Sequence, residues 1–411
     1  MVSSQNSVRW KWIASLLFPI VVIGLLEIGA RSWKSFRADP IKNPPPIPAE
    51  LMNWQKFAIP LEKLPHANAY KNYPWVKDFM EEDAKYHGGG LVYEPFSLWK
   101  HLPIKTKYIT YDVSGYRVTV HPPKKSFRRK FQVFMFGGST LAGDGIFRDQ
   151  DLIPSQLAHL INKKNNDTFY EFHNYAQSGF NQGNEVILLV RLLSQGARPD
   201  LVIFYDGVND SLQRVGFGEP HMAYSSFVSA PKLGSMRDIF RRWFINWLRR
   251  KSAMLELLLP AVPDPRPPSQ FTTDPKLMQG RAEQLSDFYF GNMDLVEKLS
   301  KGYGFKYVLI LQPTLFTKSK RSKEEQELFH KVEAIAPSIQ KVFDVSYPML
   351  RKRFSEGKSP NFVDFSSVYG NVDISIYSDF MHCSPKGNEI IAREIADIME
   401  ARWSGKFLKL E

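Results

Sequence analysis

The chain has 411 residues, 43% hydrophobic and 23% charged, an ordinary globular composition that supports one large α/β domain with insertions or two domains. Its formal net charge of +12 favours anionic partners, but no arginine-rich tail or nucleic-acid motif accompanies it, so we predict no nucleic-acid partner. The single cysteine, Cys383, excludes an internal disulfide and a thiolate metal cluster, and the nine histidines are scattered without a ligand pair. We therefore predict neither a metal site nor a cofactor.

Residues 12–30 carry one charge, Glu27, and predict a membrane anchor. Counted through Ala30, the stretch approaches the roughly 20 residues that cross a bilayer, whereas counted to Leu26 it is nearer to a signal-peptide core. No clear cleavage site follows, so we favour an uncleaved signal anchor with its flanks over 1–37. Basic residues lie on both sides, which leaves the orientation open. A short N-terminal tail before a long domain favours a single-pass protein with the domain outside the cytoplasm.

Two segments separate this anchor from the main domain. Residues 38–65 are rich in proline and predict an extended linker. Residues 66–130 contain many aromatic residues without a long periodic run, and 108–120 resembles a hairpin that turns at Asp112–Gly115. We expect 66–130 to be an accessory segment that packs beside the main sheet.

From residue 131 onwards, short apolar runs alternate with helical patterns up to residue 403. The predicted strands are 131–136, 170–176, 201–205, 307–311 and 361–365. The predicted helices are 150–162, 185–195, 277–301, 323–335 (with a possible extension) and 385–402. Such alternation indicates a parallel sheet of five strands covered by helices on both faces.

An insertion at 211–275 interrupts this pattern, and residues 404–411 form a short tail. Within the insertion, 236–251 places aromatic and apolar residues on one helical face and charged residues opposite. Tryptophan together with arginine on such a helix suits a membrane interface, but a lid helix packed on the domain explains the pattern equally well.

Four groups of polar residues follow apolar strands or precede the last helix. Gly138-Ser139 ends the first strand, Gly179 follows the second, Asn209 follows the third, and Asp379 lies three residues before His382. Alone, Ser139 suits the N-cap of a helix after a tight turn. In a parallel sheet, however, the carboxyl ends of the strands share one edge, so the groups should meet there.

Together these residues supply the parts of an acyl-transfer site. Ser139 is the candidate nucleophile, His382 the base, and Asp379 the acceptor that fixes the imidazole tautomer. The amides of Ser139 and Gly179 and the side-chain amide of Asn209 are the candidate donors to the oxyanion.

In this order the four groups resemble the blocks of the SGNH/GDSL hydrolase superfamily. The resemblance covers about 131–403 and implies a flavodoxin-like three-layer α/β/α sandwich, with those residues in the roles just given. One departure is Gly138, where the GDSL form has aspartate; Gly-Gly-Ser variants resemble membrane-anchored bacterial members.

The resemblance implies a serine esterase, and we expect an O-acetyl group on a carbohydrate or cell-envelope polymer as its ester. One alternative is an O-acyltransferase of exopolysaccharide modification that uses the same site. Another is a non-catalytic polysaccharide-binding or assembly protein. The sequence leaves the oligomeric state open. Other polar residues nearby are interpreted as hydrogen-bonding or packed groups outside the machinery: Asp144, His173, Asp206, Asp210 and Cys383.

Overall fold

The computed structural model describes residues 67, 69–82, 91–94, 97–123, 127–164, 167–218, 244, 271–357 and 359–403. Except for residue 244, they belong to one structural unit. The predicted anchor, linker and tail lie outside the described residues, as does the predicted helix 236–251 apart from that one position. Within the described ranges, no helix combines the length and the apolar character that a membrane crossing needs.

Among its described residues, the accessory segment contains one helix and two small antiparallel pairs of strands. These elements are α1 (Trp75–Glu82), β1 (Leu91–Glu94) paired with β2 (Leu98–His101), and β3 (Ile104–Lys105) paired with β4 (Thr110–Tyr111). The predicted turn at Asp112–Gly115 is present, with Gly115 donating to the Asp112 carbonyl at 3.0 Å. The two sides of the turn are joined by an antiparallel bridge between Tyr111 and Arg117, with Val118 donating to the Thr110 carbonyl at 2.9 Å.

The main sheet contains five strands, all parallel. They are β5 (Arg129–Gly137), β6 (Thr168–Asn174), β7 (Leu201–Asp206), β8 (Lys306–Leu311) and β9 (Phe362–Asp364), in the spatial order β6-β5-β7-β8-β9. Relabelled by their order along the chain, these strands run 2-1-3-4-5, which is the flavodoxin-like order with its switch point beside β5. The predicted five-stranded parallel sheet is confirmed.

The sheet is built from runs that are apolar on both faces, as a strand buried between helices requires. Every residue of β7 is buried, and the ring of Phe204 stacks on that of Phe136 in β5 with centroids 5.4 Å apart. In register, Met135 lies opposite Ile203, and Ile203 opposite Val308. This central core fixes where β5 and β7 end, and hence where their following residues lie.

Helices connect the strands and pack in two groups. They are α2 (Ser139–Ala142), α3 (Ile153–Lys164), α4 (Gln182–Ser194), α5 (Val208–Asp210), α6 (Pro275–Tyr303), α7 (Lys323–Ile335), α8 (Pro337–Glu356) and α9 (Pro385–Trp403). Helix α3 packs against α9, whereas α6 packs against α4 and α8. Because β5 to β6 and β6 to β7 cross the sheet in opposite directions, right-handed connections place α3 and α4 on opposite faces.

Two helices differ from the sequence-based bounds for identifiable reasons. Helix α4 begins at Gln182, three residues before the apolar run, because Asn181 and Asn184 form a reciprocal capping box. The helix expected over 323–335 is found there as α7, but a separate helix, α8, follows it from Pro337. Pro337 occupies the first turn of α8, where its missing N–H is tolerated.

Candidate active site

Ser139 lies at the abrupt end of β5, as the first residue of the short helix α2. Gly137 allows this turn, because a Cβ there would be 2.6 Å from the Tyr205 carbonyl oxygen on β7. Helix α2 ends at Gly143 with a φ of 92°, a left-handed conformation that favours glycine. The Ser139 side chain is therefore held on a rigid corner, with 7% of the residue exposed.

The loop before α9 brings a histidine and an aspartate to Ser139. The Nε2 atom of His382 is 2.8 Å from Ser139 Oγ, and its Nδ1 atom is 2.6 Å from Asp379 Oδ2. The other carboxylate oxygen of Asp379 accepts the backbone N–H groups of Met381 and His382 at 2.8 and 2.7 Å. These bonds fix the carboxylate and, through it, the plane of the imidazole.

The hydrogen bonds define the tautomer that neutral His382 must adopt. Since the ionised Asp379 carboxylate only accepts, Nδ1 carries the proton, which leaves Nε2 to accept from the Ser139 hydroxyl. Burial alone would lower the pKa of His382. The charge of Asp379, its hydrogen bond and the charge of Asp144 outweigh it, so the pKa is raised above the ordinary 6.5.

The two other predicted groups meet beside Ser139. Gly179 has a φ of 78°, and the Nδ2 atom of Asn209 donates to the carbonyl of Phe180 at 2.7 Å. A Cβ on Gly138 would collide with that same Asn209 Nδ2. A side chain at position 138, such as the aspartate of the GDSL form, therefore requires Asn209 to move from its present place. The structure thus brings all four groups to one edge of the sheet.

Three buried carboxyl groups lie beneath this edge, and sequence reasoning missed one of them. Glu185 on α4 is fully buried and interacts with Asp206 at the end of β7. Asp206 also accepts the Tyr289 hydroxyl at 2.6 Å, and Asp210 accepts the backbone N–H of Gln182 at 3.1 Å. Burial raises the pKa of each carboxyl, to about 6 for Asp210. The available signal was one carboxylate within a strongly apolar helix.

Other polar residues near the motifs have separate environments. His173 on β6 contacts Gln132 on the neighbouring strand β5, with its Nε2 atom 2.6 Å from Gln132 Oε1. Cys383 is buried, contacts the Tyr369 hydroxyl, and burial raises the pKa of its thiol to about 12. Among the described residues, no group of three or more His, Cys, Asp or Glu side chains is arranged to hold a metal ion.

No known protein-family model matches this chain, and no curated protein matches it either. Several solved structures resemble it. A carbohydrate acetylesterase family member from Sinorhizobium meliloti is 13% identical, with a TM-score of 0.32, over 66% of this chain and 98% of that one. A lipolytic G-D-S-L family protein from Veillonella parvula is 10% identical, with a TM-score of 0.36, over 66% and 99%.

A third structure is the psychrotrophic esterase EstA from Pseudoalteromonas sp., which is 15% identical, with a TM-score of 0.33, over 66% of this chain and 97% of that one. Likeness at this level fixes neither the fold nor the activity of this chain, so the description of the site rests on the chain's own strand order and distances. The flavodoxin-like order carries four blocks to one sheet edge, and Ser139, His382 and Asp379 form a continuous hydrogen-bonded chain. The chain therefore has a flavodoxin-like parallel sheet whose carboxyl edge carries the hydrogen-bonded Ser139, His382 and Asp379 together with Gly179 and Asn209.

Proposed function

We propose that this chain is a membrane-anchored serine esterase that hydrolyses an O-acetyl ester on a carbohydrate or cell-envelope polymer. The proposal rests on one observation above all. Ser139 Oγ is 2.8 Å from His382 Nε2, whose other ring nitrogen is 2.6 Å from Asp379. This is the relation that a weak hydroxyl nucleophile needs for activation by a base of fixed tautomer.

The reaction follows from these contacts in two steps. Ser139 Oγ attacks the ester carbonyl carbon while its proton passes to His382 Nε2, and Asp379 stabilises the imidazolium. The tetrahedral oxyanion then collapses, the C–O bond to the alcohol breaks, and His382 returns the proton to the leaving oxygen. Water repeats the sequence on the acyl-enzyme, releasing the acid and restoring Ser139.

The developing charge needs donors in fixed positions. In this proposal they are the backbone amides of Ser139 and Gly179 and the second N–H of Asn209, whose first is held by Phe180. Loss of one such donor typically lowers kcat by about 10²–10³-fold.

Hydrolysis of p-nitrophenyl acetate by the purified full-length chain tests the nucleophile. We expect Ser139→Ala to lower kcat on the order of 10⁴-fold or more, because no other hydroxyl replaces Oγ. Ser194→Ala is the matched control, since Ser194 is exposed and bonds only its own helix, to the Arg191 carbonyl. Equal rates for wild type and Ser139→Ala would contradict the assignment.

The same assay separates the other functions. A transferase would hydrolyse the ester slowly until a glycan acceptor is added, and acetylated glycan would then accumulate. A non-catalytic binding protein would retain polymer equally well with and without the Ser139 hydroxyl.

The membrane part of the proposal rests on the sequence of 12–30. We expect a reporter that is active only outside the cytoplasm to function when fused after Glu411, and deletion of 1–37 to release the protein from the membrane. Flotation with liposomes, with and without 236–251, tests the second membrane contact; unchanged binding would contradict it.

A further inference from the structure

The accessory hairpin β1–β2 reaches the loop that carries Gly179. The indole Nε1 of Trp99 donates to the carbonyl oxygen of Ser178 at 2.7 Å, and Trp99 is 2% exposed. Its ring packs edge-on against Phe180, with centroids 5.4 Å apart. A side chain far away in sequence therefore contacts the residues on both sides of Gly179.

The Ser178 side chain is fixed from two further directions. Its Oγ donates to Asp144 Oδ1 at 2.9 Å and lies 3.0 Å from His101 Nε2. Because the single hydroxyl proton goes to the carboxylate, Nε2 of His101 must carry a proton and donate to Oγ. The chain His101–Ser178–Asp144 thus joins the hairpin to the residue directly after the helix α2 cap.

Peptide geometry converts these contacts into control of one amide. The carbonyl of Ser178 and the N–H of Gly179 belong to the same planar trans peptide, so they point in opposite directions and rotate together. Glycine tolerates either orientation of this peptide, since both signs of φ are open to it. Trp99 removes that freedom by holding the carbonyl. On the other side of Gly179, Gln213 Nε2 holds the Gly179 carbonyl at 2.9 Å.

We propose that Trp99 is a positioning residue for the oxyanion hole: by donating to the Ser178 carbonyl it directs the Gly179 N–H toward the reacting carbonyl oxygen. His101 and Asp144 support this arrangement by holding the Ser178 side chain in place. The inference rests on the proposed esterase function and assigns the accessory segment a role in it. Such a contact acts in the transition state, where the oxyanion forms, and little in the ground state. Its loss therefore lowers kcat and leaves KM nearly unchanged.

The test replaces the indole of Trp99 by another aromatic ring that has no N–H. Trp99→Phe removes the N–H and retains an aromatic surface against Phe180, and we expect the acylation rate of Ser139 by p-nitrophenyl acetate to fall about 10-fold to 100-fold. His101→Leu should have a smaller effect in the same direction, and His101→Gln, which retains a donor near the Nε2 position, should recover most of it. Trp403→Phe is the matched control, a buried tryptophan on α9.

Amide hydrogen exchange over 176–184 provides a second readout that does not need activity. Trp99→Phe is expected to accelerate exchange in this peptide more than Trp403→Phe does, at equal global stability. Unchanged exchange and unchanged acylation would overturn the proposal, as would a raised KM with unchanged kcat. If the wild-type chain hydrolyses no ester, the esterase function fails, and the exchange measurement still decides whether Trp99 holds the Gly179 peptide.

Discussion

The absence of a side chain at Gly138 leaves room for the side-chain amide of Asn209, a donor to the oxyanion in the proposed reaction. A methyl group at this position would collide with Asn209 Nδ2 and lie 3.1 Å from the Phe180 carbonyl oxygen that Asn209 bonds. We therefore expect Gly138→Ala to displace the amide and lower kcat by about 10²–10³-fold, the usual effect of one lost donor. Gly280→Ala on α6 is the control, because a Cβ there meets nothing within 4 Å. Equal kcat for both variants and wild type would place Asn209 outside the oxyanion hole.

In the proposed esterase, His382 sets the acid limit of activity. As a base it must be neutral, and its pKa is raised above 6.5, so kcat/KM should decline with falling pH at a midpoint above 6.5. Asp144 contributes to that rise through its charge. Asp144→Asn keeps an oxygen to accept from Ser178 but removes the charge, so the midpoint should move to lower pH.

A pH–rate profile of ester hydrolysis measures this shift. The control is Asp397→Asn, an exposed carboxylate on α9. If Asp144→Asn and Asp397→Asn leave the midpoint in the same place, then Asp144 does not influence the titration of His382.

At the scale of elements, α7 positions the segment that leads to Asp379 and His382. The Glu325 carboxylate on α7 accepts the backbone N–H groups of Ile376 and Tyr377 at 2.8 and 3.2 Å. It also pairs with Lys318, which donates to the Ile374 carbonyl at 2.8 Å, and both charged side chains are at most 1% exposed. One buried ion pair thus ties a helix terminus to the loop of the candidate base.

Breaking this pair from one side should be costly. Lys318→Met leaves the Glu325 charge buried without its cation, so we expect the free energy of unfolding to fall by about 3–5 kcal/mol. Lys318→Met combined with Glu325→Gln removes that charge and should recover part of the loss. Urea denaturation measures the free energy of unfolding of both variants. The control is Lys298→Met, which breaks the exposed ion pair with Asp294. A loss no larger than that of the control would show that the buried pair contributes little.

Strands and helices that show an apolar pattern in the sequence are predictable, but the residues at which they begin and end are less so. The apolar run 201–205 predicts the strand β7, which extends one residue further, to Asp206. Apolar periodicity predicts a helix from residue 185, whereas α4 begins at Gln182. Its start depends on hydrogen bonds between Asn181 and Asn184 rather than on apolar residues. The break between α7 and α8 lies at Ala336, which leaves the helical conformation with a φ of −145° and a ψ of 65° immediately before Pro337.

At the scale of the whole molecule, the candidate site was predictable because each of its residues directly follows a strand or precedes the last helix. Parallel topology then brings Ser139 and Asn209 to one edge without further information. The contact from Trp99 to Ser178 spans 79 positions and carries no local pattern, so only the folded chain reveals it. The same holds for Glu185, which meets Asp206 through the packing of α4 on the sheet.

That packing predicts a dependence of the fold's stability on pH. Glu185 and Asp206 are almost completely buried beside each other, and none of the described residues forms an ion pair with either. Burial, together with the negative charge of neighbouring carboxyls, raises both pKa values well above the ordinary 4.5 and 3.8. A raised folded-state pKa stabilises the fold fully below the unfolded pKa, and this contribution is lost as pH rises through the folded value.

Glu185→Gln should remove much of this dependence, because a neutral amide replaces a buried carboxyl that loses a proton as the pH rises. We expect wild-type unfolding free energy to fall from pH 5 to pH 9 more steeply than that of the variant, at about 1.4 kcal/mol for each pKa unit of difference between the folded and unfolded states. Urea denaturation across this range measures the slopes, with Glu283→Gln on the exposed side of α6 as control. Parallel slopes for wild type, Glu185→Gln and Glu283→Gln would mean that the buried carboxyls ionise without affecting the fold. A flatter slope for Glu185→Gln alone would show that protonation of the buried carboxyls between α4 and β7 stabilises the fold.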